Sequence, residues 1–187
     1  MNIVIGLGNP GNTYMNHRHN VGWMVLDAIA AKESLHFVSN KFVSGEVSQF
    51  GQLLLLKPDT FMNSSGKAAK AAAKHFLGTI VVVYDDIDIS LGEIKCSFGR
   101  GAGGHNGVQS VIDHLGTKDF LRIRVGVRPV HEELQSKILP PNGFETFLLS
   151  NFAPFEYELR DKGIEKAINV IESLPFKTVE EIMNAYN

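Results

Sequence analysis

The segment that decides the fold stands at the start of the sequence, NIVIGLGNPG at residues 2–11. It opens with the apolar run IVI, typical of a buried strand, and its glycines satisfy the pattern G-x-G-x-x-G of dinucleotide-binding loops. In such loops the third glycine leads into a helix whose free N–H groups hold the pyrophosphate. Here Pro10 pushes Asn9 out of the helical region and removes one backbone donor. The segment therefore predicts a strand and a polar loop.

The residues that follow also argue against a dinucleotide cofactor. A helical apolar pattern begins only near Val21, in VGWMVLDAIAAK, so the loop is long and no helix starts at its third glycine. The acid that would hold the ribose should end a second strand about 20 residues later. The nearest candidate, Asp27, lies inside the helical pattern. We therefore expect no cofactor and keep a nicotinamide-dependent enzyme only as a minor alternative.

Composition bounds the class of protein. The chain has 187 residues, 44% of them apolar, which is enough for one domain with its own core. A single cysteine, Cys96, excludes an internal disulfide framework, fits a reducing cytosol and is expected to be a buried small hydrophobe. We find no secretory signal and no apolar run long enough to span a bilayer. We expect a cytoplasmic monomer with no membrane partner.

The charge is unevenly distributed. The net charge of −2 predicts no polyanionic partner by itself. Residues 95–128, however, carry six basic side chains against two acidic ones. The basic residues are Lys95, Arg100, Lys118, Arg122, Arg124 and Arg128. Such a block indicates local contact with an anion, although solvated charged faces are common.

Strand-like and helix-like segments alternate along the chain. The strand-like ones are NIVIGL, KFVSGEVSQF, GQLLLLK, GTIVVVYDDID, GEIKCSFG and FLRIRVGVR. The helix-like ones are NVGWMVLDAIAAKE, GKAAKAAAKHFL, VQSVIDHL, FEYELRDKGIEKAINVIES and TVEEIMNAYN. The order predicts a single α/β domain over residues 1–187, with a twisted, mixed, largely parallel central sheet flanked by helices. Residues 128–143 predict a mobile surface excursion, and a lid motion of residues 129–142 stays open.

Ligands of open α/β sheets bind beyond the carboxyl ends of the strands. The loops expected there are GLGNPG, PDTFMNSSG, DDID and GRGAGGHNG. All four are rich in side chains that bind ligands or transfer protons. Their common position at one edge of the sheet predicts a site.

His19 is the best candidate for a general base, because imidazole accepts a proton near neutral pH. Asp85 and Asp88 close a buried strand, where a carboxylate can orient an imidazole and favour its protonated form. The group HRH with DDID also permits a metal-hydrolase interpretation. Nothing in the sequence completes a first coordination shell, so we expect no metal.

The remaining loop residues favour binding over nucleophilic catalysis. Asn9, Asn63 and Asn106 each lie beside glycine or serine, and amides suit recognition of a peptide or ester group. No G-x-S-x-G elbow is present, and Cys96 lies in an alternating strand. The glycine loop enters a helix whose free N–H groups suit an anion, and Arg100 supports that interpretation.

Taken together, the motifs resemble those of a known family. GLGNPGNTY, RHNVG, DTFMNSSG, YDDIDI, GRGAGGHNG with VQSVI, and FLRIRVGV occur in the order found in bacterial peptidyl-tRNA hydrolase. The resemblance runs from about residue 2 to 128 and continues more weakly through the final helix. It implies hydrolysis, without a cofactor, of the ester that joins a peptide to the 3′ end of tRNA.

The resemblance also assigns roles to residues. It implies that His19 is the catalytic base and that Asp85 supports it. It further implies that the peptide and the reacting carbonyl or water are bound by Asn9, Tyr14, Met62, Asn63 and Asn106.

One position departs from the family. A lysine and an arginine of the family clamp the 5′ phosphate of the tRNA; the arginine matches Arg124, but Ser97 stands where the lysine is expected. Lys95, two residues away on the same strand face, and Arg100 are the candidates to replace it. Arg122, Arg124 and Arg128 share parity and hence are expected on one face. The predicted partner is peptidyl-tRNA, contacted at its acceptor end and 5′ phosphate.

The main alternative belongs to a different class, since some relatives of this family are RNA-binding splicing factors without hydrolase activity. The presence of His19, Asp85 and the three asparagines favours an enzyme, because a pure binding protein has no need of a poised base. The nicotinamide enzyme ranks third.

Overall fold

The computed structural model describes residues 1–130 and 143–187, which form seven strands and six α-helices. The strands are β1 (Asn2–Gly6), β2 (Val38–Asn40), β3 (Gly45–Phe50), β4 (Leu53–Pro58), β5 (Thr79–Ser90), β6 (Ile94–Phe98) and β7 (Leu121–Arg128). The helices are α1 (Val21–Lys32), α2 (Ser65–His75), α3 (Asn106–Leu115), α4 (Gly143–Leu148), α5 (Tyr157–Ser173) and α6 (Val179–Ala185). The strands and helices interleave as the sequence predicts.

The seven strands of the described chain form one mixed sheet in the order β2-β3-β4-β1-β5-β7-β6. The four central strands β4, β1, β5 and β7 run parallel to one another. The remaining pairs are antiparallel: the edge strand β2 with β3, β3 with β4, and the edge strand β6 with β7. The predicted fold class, a largely parallel mixed sheet, is confirmed.

Helices cover both faces of the sheet. Because side chains alternate along a strand, Val4 of β1 joins the core with α1, α5 and α6, whereas Ile3 and Ile5 join the core with α2 and α3. Every residue of β4 is buried, as expected of a strand covered on both sides. Cys96 is buried on β6, and burial raises the pKa of its thiol to about 12. No helix of the described residues is long and apolar enough to cross a bilayer.

The first helix starts very close to the end of β1 and to the middle of β5. A side-chain carbon on Gly22 would lie 2.4 Å from the carbonyl oxygen of Val83 and 2.6 Å from that of Leu7. Only glycine permits this approach. The short 3-10 turn Arg18–Asn20, directly before α1, is thereby held over the carboxyl ends of the central strands. The absence of a helix directly after Gly11, which the sequence predicts, is confirmed.

A buried ion pair fastens that turn to the last third of the chain. Arg18 donates to both carboxylate oxygens of Glu156, at 2.7 and 3.3 Å, and the two side chains are 2% and 0% exposed. The guanidinium lies 4.2 Å from the ring centre of Phe147 and 4.7 Å from that of Phe152. The turn that carries His19 is therefore fixed on both sides, by the sheet and by the segment that leads into α5.

The structure corrects two expectations. Asp85 and Asp88 do not close their strand, because β5 continues to Ser90 with an irregular register against β7 after Asp86. Two elements were also not predicted, the short edge strand β2 and the helix α4. The excursion predicted at residues 128–143, with its lid motion, lies mostly in 131–142, outside the described residues.

We predict that Glu156→Ala lowers the free energy of unfolding by about 3–5 kcal/mol, because it leaves the Arg18 charge buried without its carboxylate. Urea unfolding followed by circular dichroism measures this change. Glu172→Ala is the matched control, since it breaks the solvent-exposed pair with Lys32 and should cost at most about 1 kcal/mol. Equal losses in the two variants would contradict the prediction.

Candidate active site

The loops at the carboxyl ends of the central strands enclose a cavity of about 570 Å³. Six of the residues that the sequence assigns to catalysis or substrate binding line it. These are Asn9, His19, Met62, Asn63, Asp85 and Asn106. Residues separated by up to 97 positions in the chain are thus brought to one place. The predicted convergence of the loops on one site is confirmed.

His19 and Asp85 form a direct pair. The Nδ1 atom of His19 lies 2.8 Å from Oδ1 of Asp85, whose side chain is 1% exposed. A carboxylate can only accept, so Nδ1 carries the proton. The lone pair of Nε2 is therefore free to accept a proton from another molecule. The side chain of His19 is 13% exposed, which leaves it accessible from the cavity that it lines.

A second histidine, which the sequence analysis missed, uses the same oxygen of Asp85. Nε2 of His105 lies 3.0 Å from Oδ1. Its Nδ1 accepts from the backbone N–H of Val108 at 3.2 Å and caps the N-terminus of α3. Because Nδ1 accepts, the proton of a neutral imidazole must be on Nε2. His105 is therefore fixed as a neutral donor to Asp85.

These contacts set the protonation of the pair. Burial alone would lower the pKa of His19, but the charge and hydrogen bond of Asp85 outweigh it, and the charge of Glu145 adds to them. The pKa of His19 is accordingly raised. Burial alone would raise the pKa of Asp85, but His19 and His105 hold it well below its usual range. The carboxylate stays ionised at neutral pH beside an imidazole that readily takes up a proton.

The GLGNPG loop presents an oriented amide. The backbone N–H of Asn9 donates to Oδ1 of Asn20 at 3.0 Å, and Nδ2 of Asn20 donates back to the carbonyl of Asn9 at 2.9 Å. The side-chain oxygen of Asn9 accepts from the backbone N–H of Met62 at 2.8 Å. The side-chain oxygen is thus occupied. A ligand in the cavity therefore meets the Nδ2 donor of Asn9. Asn20, which fixes this arrangement, was not predicted.

The other predicted substrate residues differ in position. Asn63 lies in the 3-10 turn Met62–Ser64 before α2, and Asn106 is the first residue of α3. Tyr14 does not line the cavity; its ring makes edge contacts with His17 and with Phe61, at 5.4 and 6.2 Å between centroids. Since Phe61 lines the cavity, Tyr14 supports the wall from behind.

The last wall of the cavity comes from the unpredicted helix α4. Phe144, Glu145 and Leu148 line the cavity, together with Leu149 after the helix. A backbone hydrogen bond joins this wall to the turn Arg18–Asn20, because the N–H of Arg18 donates to the carbonyl of Ser150 at 3.0 Å. The sequence gives little signal for a helix of six residues, which explains why it was missed.

The basic residues lie outside the cavity. Lys95 and Arg124 stand directly opposite each other in the antiparallel β6–β7 ladder and therefore on one face. Lys95 is exposed, and Nε of Arg124 donates to the carboxylate of Asp86 at 2.7 Å. Asp86 also lines the cavity, so this basic face adjoins it. Arg100 is exposed on the glycine loop.

The sequence places Arg122 in the basic block predicted to contact an anion, but the structure buries its side chain. Its side chain is only 1% exposed and donates to the carbonyl oxygens of Arg100 and Gly101. Ser97, its partner in the ladder, is also buried. The prediction that the arginines of β7 share a strand face is thus correct, but the glycine loop covers the end of that face at Arg122.

His19, Asp85 and His105 form the one group among the described residues whose geometry could hold a metal ion, with their ligand atoms within 4.8 Å of one another. The same atoms already face each other across N–H···O hydrogen bonds. A cation would have to replace both bonds and take the proton from Nδ1 of His19. The arrangement fits proton transfer better than coordination.

Comparisons with known proteins point to one family. The sequence matches the family model described as peptidyl-tRNA hydrolase over residues 3–187. It is 41% identical to the peptidyl-tRNA hydrolase of Fervidobacterium nodosum, covering 99% of this chain and 95% of the relative. It is 38% identical to that of Shouchella clausii, covering all of both chains. The crystal structure of the Acinetobacter baumannii peptidyl-tRNA hydrolase superimposes with a TM-score of 0.84 at 28% identity, covering 100% of this chain and 94% of that chain.

We predict that Asp85→Asn lowers the pKa of the His19 imidazole, because it removes the negative charge that stabilises the imidazolium while burial persists. NMR titration of the imidazole signals measures the shift. In the unmodified protein the midpoint should lie above about 6.5, and in the variant below it. The signals of the exposed His36 serve as the reference. An unchanged His19 midpoint would show that Asp85 does not control this proton.

Proposed function

Since the chain belongs to the peptidyl-tRNA hydrolase family, we propose that it cleaves the ester between a peptide and the 3′ end of tRNA with water activated by His19. Hydrolysis of peptidyl-tRNA is the activity of the family. The observation that carries the mechanism is the contact of 2.8 Å between His19 and a buried carboxylate at the cavity wall.

The reaction needs one proton to be moved twice. Nε2 of His19 takes a proton from water as the oxygen adds to the ester carbonyl, which gives a tetrahedral intermediate and an imidazolium ion. The imidazolium then returns the proton to the 3′ oxygen of the ribose as the ester C–O bond breaks. The products are a peptide carboxylic acid, which ionises, and a tRNA with a free 3′ hydroxyl. Asp85 stabilises the imidazolium between the two steps.

His105 has a different role from His19. Its Nδ1 is occupied by the N-terminus of α3, so it can only donate to Asp85 from Nε2. This bond holds the carboxylate in the orientation that His19 requires. Two imidazoles on one oxygen therefore play unequal parts, one as base and one as support for the carboxylate.

The amide side chains suit the peptide. Asn9, Asn63 and Asn106 line the cavity and donate and accept without charge, as a peptide backbone requires. The tetrahedral oxyanion needs a neutral donor, and the Nδ2 group of Asn9 is available for it. We propose that the enzyme acts on N-blocked aminoacyl groups and spares free aminoacyl-tRNA, because this cavity is built for an amide where the free substrate has an ammonium group.

The basic face of β6 and β7 is the proposed contact with the tRNA. Like charges directly opposite in a ladder repel each other, and a bound phosphate would relieve the repulsion between Lys95 and Arg124. Asp86 holds the Arg124 side chain beside the cavity. We assign to this pair the 5′ phosphate of the acceptor end, with Lys95 in place of the family lysine and Arg100 as an additional contact.

A non-catalytic RNA-binding role is the alternative. The basic face alone would serve it equally well. The buried Asp85 with two imidazoles would then bring a desolvation cost without any use, because a binding protein has no proton to transfer. This favours the enzyme. We further propose that the protein acts as a cytoplasmic monomer, a setting that agrees with its single buried cysteine.

We predict that His19→Ala lowers the rate of N-acetyl-aminoacyl-tRNA hydrolysis by about 10²–10⁴-fold, because it removes the positioned base. Binding of deacylated tRNA should stay within about twofold, and Asp85→Asn should cost less than His19→Ala. The assay is run with a chelator present and repeated on free aminoacyl-tRNA. A His19→Ala variant with most of its rate would overturn the mechanism, and activity that required added zinc would overturn its metal-free form.

We predict that Arg124→Ala weakens tRNA binding and lowers the slope of log affinity against log salt by about one unit, because one phosphate contact is lost. Lys95→Ala should act in the same way. Fluorescence anisotropy at several salt concentrations measures both quantities. Lys118→Ala is the control, since it removes an exposed cation of the same block outside this strand face. If Arg124→Ala binds tRNA like the unmodified protein at every salt concentration, the phosphate contact lies elsewhere.

A further inference from the structure

Arg122 belongs by sequence to the basic block of residues 95–128, yet it is one of the most completely buried side chains of the described residues, at 1% exposure. Its guanidinium lies 4.6 Å from the ring centre of Phe120. Its Nη1 donates to the carbonyl oxygen of Gly101 at 2.6 Å, and its Nη2 donates to that of Arg100. The hydroxyl of Tyr84 lies close enough to act on its pKa, in the direction opposite to burial. These contacts leave it no access to an RNA phosphate.

The charge of Arg122 is compensated differently from that of Arg18. The hydrogen bonds found for Arg122 among the described residues go to two carbonyl oxygens, whereas Arg18 has the carboxylate of Glu156. Burial lowers the pKa of Arg122, with the Tyr84 contact acting against it. A charge held in this way costs free energy that one further apolar side chain would not. The cost is understandable if the hydrogen bonds themselves have a function.

The two carbonyls belong to the glycine loop that leads to His105 and Asn106. Gly103 and Gly104 have φ angles of 60° and 84°, and a side-chain carbon on either would meet nothing within 4 Å. Packing around these glycines therefore does not fix the conformation of the loop. Glycine also loses more backbone freedom on folding than any other residue. His105 anchors its far end through Asp85 and α3, and Arg122 anchors its near end.

A second route joins Arg122 to the same histidine. The ring of Tyr84, whose hydroxyl acts on the pKa of Arg122, packs edge-on against the imidazole of His105 with 4.8 Å between centroids. Tyr84 is 4% exposed and lines the cavity. The guanidinium therefore reaches His105 along the loop backbone and through one aromatic ring.

We propose that Arg122 is a positioning residue for the reaction: it holds the glycine loop so that His105 supports Asp85 and Asn106 meets the substrate. This assignment rests on the proposed function. It separates two arginines on one strand face by role. Arg124 binds tRNA without taking part in the chemical step, and Arg122 supports the chemical step without binding tRNA.

The test compares Arg122→Met with Arg124→Ala and His19→Ala. Methionine fills similar space without donors, so the loop loses its anchor while the core stays packed. We expect kcat to fall by about 10- to 100-fold, since small misplacements of reacting groups have effects of this size. The Kd for deacylated tRNA should stay within about twofold of the unmodified protein, the opposite of the Arg124→Ala pattern. Amide hydrogen exchange of residues 100–105 should become at least about tenfold faster.

Arg122→Lys is the conservative variant. The same measurements are made on it if the methionine variant does not fold. Lysine keeps the charge and can reach one carbonyl, so its kcat should lie between those of the unmodified and methionine proteins. An unchanged kcat in a folded Arg122→Met protein would overturn the assignment, as would a weakened Kd with normal kcat. A normal rate in His19→Ala as well would place the failure in the proposed mechanism instead.

Discussion

The active site depends on one buried acceptor, the Oδ1 atom of Asp85. Three separate elements meet at it: β5, which carries it, the turn before α1 through His19, and the start of α3 through His105. Burying an ionised carboxylate is costly unless donors surround it. The two imidazole N–H groups supply that compensation, and the bonds fix which ring nitrogen of each histidine faces the carboxylate. The same contacts that stabilise the carboxylate in the interior leave Nε2 of His19 free to accept a proton.

Two arginines show how the rest of the structure supports this arrangement. Arg18 is bound by Glu156 and two phenylalanine rings, and it fixes the turn that carries His19. Arg122 is bound by the carbonyls of the glycine loop, and it fixes the segment that carries His105. Each of these two arginines thus supports the segment that carries one of the two histidines. Asn9, Asn20 and Asp85 are further buried polar residues at the site, while the two clusters of buried hydrophobic residues flank the sheet.

Periodicity predicted the sheet well because strands and helices bury their faces at characteristic spacings. The fully buried β4, the edge strand β6 and the long helix α5 all occur where the sequence places them. Residues bearing chemistry in the loops could also be predicted, since His19, Asp85 and the three asparagines line one cavity. His105 was missed although it stands beside Asn106 in the quoted loop. Its position directly before a helix was a usable signal, because side chains there cap the helix.

The sequence by itself determined the fold class, the edge of the sheet that holds the site and the kinds of groups found there, because these follow from local spacing and from the rule that ligands bind beyond strand ends. Tertiary structure alone decided which side chains hydrogen-bond to Asp85 and which basic side chains are exposed to solvent. Arg122 and Arg124 are equivalent by parity on β7, yet the glycine loop covers the first and leaves the second beside Asp86. Coverage by a loop distant in sequence leaves no signal in the periodicity of the strand, and it is this coverage that separates the buried Arg122 from the accessible Arg124.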